Sequence, residues 1–70
     1  MGIKSVAKVI EVVGSSDKSW ADAADTAVRV AAKTVKNITG VQVLHMTAQV
    51  KGGKIKTYKT TVKVAFGIEG

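Results

Sequence analysis

The 70-residue chain contains no cysteine. That excludes a disulfide framework and thiolate metal sites, and it removes the usual sequence sign of an oxidising compartment. No apolar run approaches the roughly 20 residues of a transmembrane helix, and the N-terminus has no apolar signal-peptide core. A cytoplasmic location with no membrane partner is therefore expected. Aromatics are scarce, limited to Trp20, Tyr58 and Phe66, and five acids face 11 bases for a net charge of +6. His45 is the single histidine. Nucleophilic or acid-base catalysis needs a nucleophile, a base and an orienting group in mutual reach, so this inventory does not describe an enzyme. "VVGSS" offers one glycine between a strand and a helix, not a phosphate-cradling loop.

What is present reads as one domain, residues 1-70, small enough to bury only ~60% of its unfolded surface, so that oligomerisation is the available staple. "KSVAKVIEVV" (4 to 13) alternates as a strand with apolar residues on both faces. Gly14 to Asp17 form a turn cluster, and Ser19 with Asp22 resembles a capping box that opens a helix. Trp20, Ala23, Ala24, Ala27, Val28, Ala31, Val35 and Ile38 follow at helical spacing, with a left-handed cap expected at Asn37 or Gly40. Beyond Gly40 the period is two, in strands over 41 to 50 and 54 to 68 joined by Gly52-Gly53, a hairpin signal.

That hairpin predicts pairs Val41/Val64, Val43/Val62, His45/Thr60 and Thr47/Tyr58, all on the helix side. The resulting fold class is α+β: β-α-β-β, a three-stranded antiparallel sheet of order 1-3-2 wrapped around one helix, with a right-handed crossover. One helix covers one sheet face. The other is expected to carry Val9, Val13, Leu44, Met46, Ala48, Val50, Ile55 and Ala65, more apolar surface than a monomer exposes, so a homo-oligomer is predicted.

Oxygen ligands for a hard ion include Glu11, Asp17, Asp22, Asp25 and Glu69, without calcium-loop spacing. The candidate metal ligands are Asp17, Asp22 and Glu11, although Asp17, Asp22 and Asp25 also read as charges favoured at a helix start. Lys51, Lys54, Lys56, Lys59 and Lys63 fall in the hairpin, but alternation divides them between two faces. No basic stripe with stacking aromatics forms, so no nucleic-acid partner is expected.

"VIEVVGSS", Ser19-Trp20 opening an alanine-rich helix, "KTVKNITGVQV" and "TYKTTVKVAF" together resemble the dodecin family of small flavoproteins over nearly the whole chain. The resemblance implies a hollow homododecamer that stores flavins (riboflavin, FMN or relatives) in pairs at two-fold axes. It also implies family flavin-site positions at Gly40, Val41, Gln42 and Lys59, where the stacking tryptophan of flavin-binding members falls at Gly40 and a ring-edge glutamine at Lys59. Replacing a stacking ring removes roughly 1–3 kcal/mol per contact, by analogy with nucleobase platforms, so classical flavin binding is expected to be weakened or lost. A subgroup without the tryptophan includes a calcium-binding dodecin. The expected function is a storage or buffering shell for a small molecule or ion. Alternatives are calcium binding, retained flavin binding in a modified pocket and, less favoured, a nucleic-acid-binding module.

Overall fold

The computed structural model describes residues 6–68. Four elements follow in order: β1 (Val6–Ser16), α1 (Trp20–Ala31), β2 (Ile38–Lys51) and β3 (Lys54–Ile68). The sheet has order β1-β3-β2, with β3 antiparallel to both neighbours. The expected topology is therefore the observed one, while Lys4, Ser5 and Glu69 lie outside the described residues.

The expected turn at Gly14 to Ser16 is instead the last part of β1, pairing with Thr60, Lys59 and Tyr58. Helix α1 starts where its cap predicts. Ser19 accepts a hydrogen bond from the Asp22 amide at 3.0 Å, satisfying a donor the first helical turn leaves free. The Asp22 carboxylate, however, accepts from the Ser16 hydroxyl at 2.6 Å, and the Ser16 oxygen accepts from the Lys18 amide at 2.9 Å. Buried Ser16 thus ties the strand end to the helix start.

The helix ends at Ala31, earlier than the apolar spacing predicts. Lys33 and Thr34 donate to Val30 and Ala31 three residues back, tightening the last turn. Val35 and Ile38 keep the helical spacing without being helical, because Ile38 is already a strand residue, paired with Phe66 and packed against the core. Asn37 does adopt a left-handed backbone (φ 63°), but six residues past the helix, and Gly40 lies inside β2. The chain reversal at Asn37, not a helix cap, uses that conformation.

The core is an alanine stripe on valines. Ala23, Ala27 and Ala31 recur every four residues on one helix face and are buried, and Ala27 packs with Val62 and Val64, with Ile10, Val12, Ala24 and Ile38 around them. Small side chains let helix and sheet approach closely. At Gly14 a Cβ would stand 1.9 Å from the Ala23 carbonyl oxygen, so no larger residue fits there without displacing backbone. Thr60, also buried, donates to the Trp20 carbonyl at 2.8 Å.

Helix α1 lies over β1 and β3 and barely reaches β2. Val41 and Val43 share the face of Val64 and Val62 as predicted, yet they remain 49% and 44% exposed, whereas Val62 and Val64 are fully buried. The prediction that the helix packs on Val41 and Val43 is therefore corrected. A single helix seated over β1 and β3 leaves β2 uncovered.

The hairpin turn is the predicted one, with Gly52 (φ 61°) and Gly53 (φ 77°) both left-handed as a two-residue type I′ turn requires. Its register is not uniform. Besides an irregularity between Ile38 and Gly40, one between Val43 and His45 pairs His45 with Thr61 and Met46 with Thr60, and another between Gln49 and Val50 restores the offset that Val41 and Val43 had. A one-residue slip exchanges sheet faces. His45 and Thr47 consequently lie on the outer face rather than the helix side, and Met46 and Ala48 lie on the helix side rather than outside.

Candidate ligand-binding face

The outer face of the sheet is built from alternate residues of three strands, and cross-strand pairing fixes its rows. Val9, Ala65 and Gly40 form one row; Glu11, Lys63 and Gln42 the next; Val13, Thr61 and His45 the third; Ser15, Lys59 and Thr47 the fourth. Of the four expected ligand positions, Gly40, Gln42 and Lys59 share this face. Val41, between the first two, takes the helix side with Val64.

The face is more polar than predicted. Val9 and Val13 remain exposed on it, but the register slip removes Met46 and Ala48 and substitutes His45. The three aromatic residues all lie on the other side: Tyr58 and Phe66 alternate with outer-face residues of β3, and Trp20 belongs to α1. Trp20 packs edge-on against Tyr58 with ring centroids 4.8 Å apart, and its indole Nε1–H donates to the Thr47 carbonyl at 2.7 Å. Both rings serve as structural anchors.

Gly40 is exposed, and a Cβ placed on it would meet nothing within 4 Å. The position is open, not crowded, so the missing side chain is a missing platform. Along β3 the partner of Gly40, Ala65, stands six residues from Lys59, which at the rise of a strand is roughly 20 Å. A single flavin ring is too short to touch Gly40 and Lys59 of the same chain. A ring that contacts both positions needs a second copy to supply one of them.

The acidic candidates are dispersed. Glu11 stands on the outer face opposite Lys63, Asp17 is exposed in the turn before the helix, and Asp22 is held by Ser16 and Ser19. Asp25 forms an exposed i,i+4 ion pair with Arg29 at 3.1 Å. Among the described residues no group of three or more metal-ligating side chains converges. A calcium ion takes six to eight oxygens, so these residues do not fit one within a single chain. A flavin ring fares no better on one chain, since no aromatic shares the face of Gly40.

Two further surfaces are apolar and uncovered. Val41, Val43 and Met46 form a margin along β2 on the helix side, and Met46 is 59% exposed. A groove of about 670 Å³ runs between α1 and the edge strand β1, lined by Val12, Ala27, Val30 and Ala31 among others. Sequence reasoning missed both, because they arise from the shortness and offset of the helix.

The family model for dodecin matches residues 6–69. The chain belongs to the dodecin family. Dodecin from Streptomyces davaonensis superposes with a TM-score of 0.92 at 24% identity, covering 97% of this chain and 100% of that one, a likeness of fold. Dodecin from Streptomyces coelicolor gives 0.90 at 26% identity, covering 94% of each chain. A calcium dodecin from Mycobacterium tuberculosis, described as a calcium-chelating antigen with a novel calcium-binding site, gives 0.79 at 37% identity over 91% of each chain. No curated protein matches the chain. Among the described residues, no helix is long and apolar enough to cross a membrane.

Proposed function

We propose that this dodecin is the subunit of a hollow homododecamer that stores or buffers a small molecule or an ion rather than turning it over, and that classical flavin stacking in it is weakened or lost. One observation carries the reading. Gly40 and Lys59 share one sheet face at roughly 20 Å separation, with open space at Gly40 and no aromatic beside it. Membership of the family supplies the assembly, and the uncovered margins on β1 and β2 supply two different surfaces for neighbours, as a closed assembly of more than two copies can use.

Riboflavin titration followed by flavin fluorescence tests the ligand part. Weak quenching is expected for the natural chain, with a clear gain for Gly40→Trp combined with Lys59→Gln. Strong quenching by the natural chain at micromolar protein would show a working flavin pocket and overturn the reading.

Calcium binding is the second reading, favoured by the 37% identity to a dodecin described as calcium-chelating. Glu11, Asp17 and Asp22 are the candidate ligands, and the dispersal of these acids means that copies of the chain must pool them. Calorimetric titration with calcium is expected to show saturable heat only if they do. A flat trace would remove this reading.

A further inference from the structure

The β2–β3 hairpin runs past the rest of the molecule. Strand β1 ends opposite Tyr58, and Trp20 of α1 meets the hairpin at Thr47 and Tyr58, so residues 49–57 extend past β1 as a two-stranded tip. From residue 38 to residue 68 the sequence has five lysines and no acid. Lys51 and Lys54 stand directly opposite each other across the ladder, an arrangement of like charges that weakens a hairpin. No carboxylate offsets them, for the one ion pair among the described residues is Asp25 with Arg29.

The register irregularity between Gln49 and Val50 lies in this tip. Thr57 pairs with Gln49 and Ile55 with Val50, which leaves Lys56 as an extra residue on β3. Such a bulge bends its strand and re-aims a side chain. Beside it lies a shallow, open hollow of about 440 Å³ lined by Gln49, Val50, Lys51, Lys56 and Thr57. Residues that carry two ammonium groups, a carboxamide and a hydroxyl therefore line one open hollow. Ammonium groups attract phosphate oxygens as point charges, and amide and hydroxyl donors complete their hydrogen bonding.

We propose that the hairpin tip is a binding site for a small polyanion of the phosphate class, held by Lys51 and Lys56 with Gln49 and Thr57 as hydrogen-bond donors. Bound anion offsets the repulsion between Lys51 and Lys54, and the acid-free hairpin steers it in. The tip lies roughly 35 Å along β2 from Gly40, so the proposal stands apart from the outer-face reading.

Calorimetric titration of the full chain with pyrophosphate at low salt tests the site. Saturable binding that weakens as salt rises is expected. Lys51→Gln with Lys56→Gln should weaken it roughly tenfold, as the loss of two exposed charge-assisted contacts implies, while Lys33→Gln with Lys36→Gln leaves it unchanged. All four lysines are exposed, so a cooperative thermal melt at no lower temperature will show that both variants fold. No heat with pyrophosphate, or equal weakening by the two double variants, overturns the proposal. So does cosedimentation with phosphatidylglycerol vesicles without any pyrophosphate binding, because the tip would then recognise a lipid surface and not a small anion. Phosphatidylcholine vesicles are expected to leave the chain in solution.

Discussion

The same sheet has two fates on its helix side. Over β1 and β3 the alanine stripe of α1 seals Val62 and Val64 completely, while one strand further on Val41 and Val43, their direct pairing partners, stay about half exposed. The side chains are identical in kind. What differs is the reach of a 12-residue helix that sits on one side of the sheet. Apolarity in a strand thus shows that a surface is to be covered, but not by what. For the sealed half the cover is intramolecular; for the β2 margin a neighbouring copy is the cover we propose.

The strongest perturbation of the sealed half is Gly14→Ala. Its Cβ would overlap the Ala23 carbonyl oxygen, and relief requires backbone movement. A loss of about 3 kcal/mol, at the upper end for overpacking, is expected. A fall in melting temperature of roughly 15 °C follows for a domain of this size.

Next come paired substitutions on β3 and β2. Val62→Ala should cost about 2 kcal/mol, from lost burial and the cavity left behind. Val43→Ala, half exposed in the single chain, should cost under about 0.5 kcal/mol if that surface faces water. Val43→Asp separates the two fates more sharply. It leaves a water-facing margin soluble and folded, but it buries an unpaired charge in an interface, so dissociation of the assembly in light scattering is expected.

Smaller effects probe the junction between the halves. Ser19→Ala removes the helix cap and should cost about 1 kcal/mol in a denaturant melt. Trp20→Phe keeps a ring against Tyr58 but loses the hydrogen bond to Thr47, again about 1 kcal/mol. Asp25→Ala, which breaks an exposed ion pair, is expected to leave the melting temperature unchanged.

Period-two and period-3.6 patterning carried the element order, and Gly52-Gly53 carried the turn. Ser19 marked the helix start because its cap is local. The helix end was hidden, since Val35 and Ile38 extend the apolar spacing for a tertiary reason: Ile38 faces the core from a strand. The irregularity between Val43 and His45 was also hidden, as nothing local in "VQVLHMT" announces it, yet it moves His45 to the outer face and Met46 away from it. Gly40, Gln42 and Lys59 were legible as one set only through the family resemblance. That they share a face follows from the register, and that Gly40 and Lys59 stand too far apart for one flavin ring to span follows from counting along β3.

The central claim is that uncovered margins in one chain are interfaces in the shell. The native mass of the protein as isolated tests it most directly. Light scattering or native mass spectrometry should return about 88 kDa, twelve times the 7.3 kDa chain. A stable 7.3 kDa monomer with Val41, Val43 and Met46 left in water would contradict it.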